Sequence, residues 1–171
     1  MAGNPTRPGR LYAFVSPDGI QWKQCSEDPL DIPGAFDSLN VAFWDPAAEL
    51  YRCYSRIFAD GYRAIQSCTS PDFANWTKPV PNAYPEGTPA MQLYTNATIP
   101  CPGAEHILLS FPKRLYEERT RLKDGIGPGV SDAIFMSSRD GVHWDRTFLE
   151  AWLRPGLDQL NWSHRNNMPA W

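Results

Sequence analysis

The chain has 171 residues and a formal net charge of −3, enough length for one ordinary domain with a sizeable core. That balance provides no positive field for a polyanion, and no apolar run approaches the roughly 20 residues of a membrane helix, so neither nucleic acid nor a membrane is expected as a partner. The 17 prolines, with 7 Trp, 7 Tyr and 8 Phe, point away from helices and toward half-buried pleated surfaces.

In chain order, the first strand-like run is LYAFV, followed by the turn and tryptophan of SPDGIQW at 16–22. SLNVAFW (38–44) reads as a strand, Asp45-Pro46-Ala47-Ala48 as a turn, LYRCYSRIF (50–58) as a second strand, and YRAIQSCTS (62–70) as a third. Asp60-Gly61 is the hairpin turn between the last two. SPDFANW (70–76) then repeats the first corner, with Trp76 expected to open a short fourth strand. The next unit follows the same plan. YTNATIP (94–100), ILLSFPKRL (107–115) and SDAIFMSS (131–138) lead to a third corner, SRDGVHW (138–144). Asp and Gly suit such corners because Asp bonds nearby amides and Gly tolerates positive φ.

Four antiparallel strands per unit, repeating at a period of about 50 residues, predict an all-β fold of propeller type with four-stranded blades. The rival reading is a β-sandwich. On the propeller reading, residues 1–26 end one blade, 36–80 and 92–150 are two whole blades, and 165–171 begin another. An open ring leaves strand edges unpaired, so the chain is expected to be a piece of a longer protein, with about three blades present. The opening MAGNPTRPGR lacks the apolar stretch of a signal peptide. The cytoplasm is the default location, and export the alternative if the start is truncated.

No cofactor is expected, because G-x-G-x-x-G, a Walker loop and H-E-x-x-H are all missing. No metal site is expected either: Cys25, Cys53, Cys68 and Cys101 show no C-x-x-C spacing, and the three histidines lie far apart. The Asp60-Gly61 turn makes residue 59 face 62, which sets Cys53 opposite Cys68. The two are either a disulfide or a pair of buried thiols.

The corners SPDGIQW, SPDFANW and SRDGVHW, the hairpin FWDPAAELYRCYSR and the terminal RNNMPAW together resemble the five-bladed β-propeller glycoside hydrolase superfamily. That group includes the arabinanase- and xylosidase-like enzymes of family 43 and the invertase- and levansucrase-like enzymes of families 32 and 68. The resemblance implies an oligo- or polysaccharide as partner, bound in a central funnel. It also implies that the first strand of each blade lines the axis, with its start at the funnel mouth. Asn40, Asn96 and Asn167 then fall at matching strand starts, with Asp37 ahead of one and Tyr94 ahead of the next. Arg56 matches Lys113, and Arg63, His164, Arg165 and Asn166 lie near the same rim. These side chains could hydrogen-bond sugar hydroxyls, and Tyr54 or Tyr94 could stack on a sugar ring.

Glycoside hydrolysis uses two carboxyl groups flanking the scissile bond. Only Asp37 takes a family-like place, as nucleophile or base. Tyr94 and Asn96, then Asn166 and Asn167, stand where further acids are expected. Glu117 and Glu118 on the long loop 113–129 are the other candidates, against a reading as solvated charges. Asp45, Asp18, Asp72 and Asp140 are read as turn residues. The expectation is a glycosidase; the alternatives are a non-catalytic carbohydrate-binding propeller and a protein-interaction propeller.

Overall fold

The computed structural model of the chain describes residues 2–3, 9–119 and 129–155. His164, Arg165, Asn166 and Asn167 lie outside them. The described residues form an all-β structure without a helix. β1 (Ala2–Gly3) pairs with β2 (Leu11–Tyr12), and β3 (Phe14–Val15) pairs with β4 (Lys23–Gln24) across the first corner. β5 (Val41–Asp45), β6 (Leu50–Ala59), β7 (Tyr62–Ser70) and β8 (Val80–Pro81) form a four-stranded antiparallel sheet in chain order.

The second unit differs from expectation. After β9 (Gln92–Leu93) come β10 (Thr98–Cys101), β11 (Ala104–Ser110), β12 (Lys113–Tyr116), β13 (Val130–Ala133), β14 (Met136–Ser138) and β15 (Trp144–Asp145). The strands β10-β11-β14-β15 make a second four-stranded antiparallel sheet, and β13-β12-β9 make a separate three-stranded one. The run 107–115 is therefore two strands rather than one. Pro112 has no N–H for a ladder, so the hairpin bends at Phe111-Pro112 opposite Ile134-Phe135. It stays joined there because the Ile134 amide donates to the Pro112 carbonyl at 3.1 Å. The expected strand 94–100 begins only at Thr98, because Ala97 has a positive φ of 45° that interrupts the pleat. Trp76 does not open a strand. It belongs to its corner, and the fourth strand follows at β8.

The three corners share one set of bonds. In each, the Ser Oγ donates to the Asp carboxylate two residues on, at 3.0 Å (Ser16, Ser70) or 3.2 Å (Ser138). The same Asp oxygen accepts the next two free amides: Ile20 and Gln21, Ala74 and Asn75, Val142 and His143. The residue after Asp has positive φ each time, at Gly19, Phe73 and Gly141. The tryptophan Nε1 then donates to that residue's carbonyl at 3.1–3.2 Å. These bonds explain why Ser, Asp and Trp recur at fixed spacing.

They also set a pH dependence. Amide and side-chain bonds from Asn75, with the Ala74 amide, hold the Asp72 carboxyl below its ordinary 3.8. At Asp140, partial burial pushes upward, but the amides of Val142 and His143 outweigh it and the net shift is also downward. A carboxyl depressed in the folded state contributes stability that is full above the unfolded value and lost as pH falls through the folded one. The wild-type protein should therefore lose more stability between pH 7 and pH 3 than the double variant Asp72→Asn/Asp140→Asn. Urea titrations at the two pH values measure this, and equal losses would contradict it.

Alternation along β6 divides the core. Tyr54, with Ile65, faces the second unit and packs with Leu93, Leu108, Ile134, Met136 and Trp144. Cys53 and Cys68 face the other way, onto Leu11, Ile32 and Phe36 from the chain's first part. The predicted Cys53–Cys68 pairing is the observed register, and both residues are thiols. A hydrogen bond between them raises the Cys53 pKa and lowers that of Cys68. The third corner locks the two four-stranded units together. The Gly141 carbonyl accepts from the Tyr54 hydroxyl (3.0 Å) and Ser67 Oγ (3.3 Å), and a Cβ on Gly141 would meet Arg52 and Tyr54.

Candidate functional site

The segment before β5 and the segment before β10 run side by side. Asn40 Nδ2 donates to the carbonyls of Phe36 and Ser38, both at 3.0 Å, which curls 36–40 into a tight entry to β5. Ser38 Oγ donates across to the Tyr94 carbonyl at 2.7 Å. Asn96 reaches back the other way, donating to the carbonyls of Leu39 (3.0 Å) and Tyr54 (3.4 Å). Its Oδ1 accepts the Thr98 amide at 3.4 Å. The two strand entries are therefore stapled by side-chain-to-backbone bonds.

This geometry gives both asparagines a structural task. Asn96 is fully buried, with its amide spent on backbone groups. Asn40 spends its donors on its own loop, leaving its Oδ1 buried without a partner. The two are also not at matching positions, since Asn40 immediately precedes β5 whereas Asn96 stands two residues before β10.

Around Tyr94 the charged residues do meet. Arg56 from β6 is 4 % exposed and forms an ion pair with Asp37, which is 75 % exposed. The Arg56 guanidinium lies 4.8 Å from the Tyr94 ring centre and 5.3 Å from that of Phe58. Arg63 from β7 sits 5.6 Å from the Tyr94 ring, and the Lys113 Nζ from β12 sits 4.2 Å from it. Arg63 Nη1 donates to Glu117 Oε1 (2.8 Å) and to Gln92 Oε1 (3.2 Å). The expected grouping of Asp37, Arg56, Arg63 and Lys113 is thus a physical cluster, organised by cation–π contacts to one tyrosine.

Two aromatic expectations change. Tyr54 is fully buried between Phe43 and Trp144, so it presents no face to a ligand. Tyr94 carries three cations on or near its ring, so its role here is to hold them. Among the described residues, no three of His, Cys, Asp and Glu group as metal ligands would. Asp45 accepts the amides of Ala47 and Ala48 and pairs with Arg52 Nε at 2.6 Å, the turn role read from sequence. Behind β12 and β13 lies a separate cavity of about 640 Å³, lined in part by Arg114, Tyr116, Arg119, Asp132 and Glu150.

This fold has a solved counterpart. It is the crystal structure of an N-acetylgalactosamine deacetylase from F. plautii in complex with blood group B trisaccharide. The match has a TM-score of 0.56 and 17 % sequence identity, and covers 84 % of this chain and 39 % of that one. At that identity the likeness is one of fold. The chain spans about 39 % of the length of that structure. No protein-family description matches the sequence, and no curated protein does.

One member of the cluster, Gln92, was not singled out in sequence, and Glu117 was named only as a candidate acid on a loop. A signal for Glu117 was present: Lys113, Leu115 and Glu117 alternate, so period 2 puts Lys113 and Glu117 on one face of a strand. For Gln92 no local signal existed, because its place follows from β9 pairing with β12, 21 residues or more away in sequence.

Proposed function

We propose that this chain is part of a β-propeller that binds a glycan where its innermost strands begin. The observation that carries the reading is the convergence of Asp37, Arg56, Arg63 and Lys113 at the adjoining entries to β5 and β10. Residues 36–80 and 92–150 are then two blades, and 1–26 the end of a third. Support for the fold comes from two four-stranded antiparallel sheets, each with an equivalent corner between its last two strands. Support for the ligand comes from the likeness to a carbohydrate-acting enzyme seen with a trisaccharide. The exposed carboxylate and arginine donors suit sugar hydroxyls, which both donate and accept.

In the complete protein, the proposed chemistry is glycoside hydrolysis with Asp37 as nucleophile or base. The ion pair with Arg56 fixes the direction of the Asp37 carboxylate, which either role uses. A second carboxyl group must supply the proton to the leaving oxygen. Glu117 stands at the same cluster, and residues beyond this chain are the other source. The second reading is binding without turnover. It is favoured by Tyr94, which stands four residues before β10 as Asp37 stands four before β5, where the resemblance implies an acid.

The test is calorimetric titration of the full-length protein with a panel of neutral and acidic oligosaccharides, run beside an assay for released sugar. On the hydrolase reading, Asp37→Asn should lower turnover by about 100-fold or more, while binding changes far less. Binding with no product from the wild type selects the binding module. Full turnover by Asp37→Asn removes its catalytic assignment, and no binding to any saccharide removes the proposal.

A further inference from the structure

The charge arrangement at this cluster is inverted relative to an ordinary surface ion pair. The cations lie inside and the carboxylates outside: Arg56 is almost fully buried, whereas Asp37 is three-quarters exposed and Glu117 is 49 % exposed on its side chain. Arg56 engages Asp37 through Nη2, and its buried Nε has no hydrogen-bond partner. The buried Nε of Arg63 also has none, and its Nη1 serves both Gln92 and Glu117. A guanidinium carries five N–H donors in a fork shaped for two acceptor oxygens. Both forks are therefore under-used, and both are desolvated by aromatic rings. Lys113 adds its charge to the same ring. Arg56 and Arg63 supply the unused donors.

A sugar hydroxyl does not make full use of such a site, because it offers one oxygen and no charge. A carboxylate or sulfate on a sugar offers two or more charged acceptors, and gains most where water is displaced from a cation. Asp37 and Glu117, being exposed, lose little when they share their arginines or swing aside. The whole chain carries −3, so its overall field disfavours an anion. Any preference for one must come from this local cluster. Resting on the glycan-binding reading above, we propose that the site selects an acidic sugar, whose oxyanion is held by Arg56 and Arg63 beside Tyr94.

The experiment compares three probes of equal length by calorimetry on the full-length protein: galactotriose, trigalacturonic acid and a sulfated galactotriose. Sodium acetate and sodium sulfate serve as competitors. At about 20 mM salt, at least one acidic trisaccharide should bind about 10-fold or more tighter than galactotriose, with the advantage shrinking at about 0.5 M salt. Which of the two acidic probes leads identifies carboxylate or sulfate as the recognised group. Arg56→Lys, which keeps the charge and loses the fork, should lower the acidic-to-neutral ratio about fivefold or more. Arg63→Gln, at a more exposed position, should do the same and keeps the test alive if the buried variant misfolds.

Equal or tighter binding of galactotriose overturns the acidic preference and leaves the glycan reading standing. Competition by acetate or sulfate at the concentration of the acidic trisaccharide overturns it as well, by reducing the site to a simple anion site. A ratio unchanged in a folded variant of either arginine does the same. Binding of no trisaccharide removes the glycan reading itself.

Discussion

Replacing Trp144 by Ala should cost about 3–5 kcal/mol of folding stability, whereas Trp22→Ala, at the same position of an equivalent corner, should cost less than about 1 kcal/mol. The two tryptophans make the same Nε1 bond to a corner carbonyl at 3.2 Å. They differ in what surrounds the ring. Trp144 is 1 % exposed, packs edge-on to Tyr54 at 5.8 Å between ring centres, and sits in the cluster joining the two four-stranded units. Its removal leaves a large cavity that the flanking strands cannot close. Trp22 is 62 % exposed and leaves no cavity. Urea denaturation of both variants measures the difference. A Trp144→Ala protein within about 1 kcal/mol of wild type would mean that this cluster does not hold the two units together.

Arg114→Met should destabilise by about 3–5 kcal/mol, and adding Asp132→Leu should recover most of that loss. Arg114 lies in β12 and Asp132 directly opposite in β13. The pair is bidentate, Nε to Oδ1 at 2.8 Å and Nη2 to Oδ2 at 2.7 Å, and both side chains are buried. Removing the cation alone strands a desolvated carboxylate. Removing both replaces a desolvated ion pair with apolar contact, which is close to neutral. The remaining Arg114 bond, Nη1 to the Leu149 carbonyl at 2.9 Å, keeps the recovery incomplete. Denaturation of the single and double variants closes the cycle, and a double variant no better than Arg114→Met would show that the pair is not the source of the cost.

The candidate site was partly legible before the structure. Asp37, Arg56, Arg63 and Lys113 could be grouped because strand ends and hairpin turns have recognisable residues, so matching units brings matching ends together. The bonds that Asn40 and Asn96 make were not legible in the same way. Counting along similar units cannot show that Asn96 turns sideways to bond Leu39 and Tyr54 on a neighbouring sheet. Tyr54 was similarly read as a free aromatic face, because alternation tells which side of a strand a residue takes but not what covers that side.

By itself, the sequence determined the local pieces: the hairpin that sets Cys53 against Cys68, the turn at Asp45, and three corners built from Ser, Asp and Trp. Each depends on bonds between residues a few positions apart, which the chain's own covalent geometry dictates. Only the tertiary structure decided that Pro112 splits one strand into two sheets, that Gly141 anchors Tyr54 and Ser67, and that three cations share Tyr94. Those outcomes depend on which distant surfaces meet, where burial and desolvation outweigh any local preference.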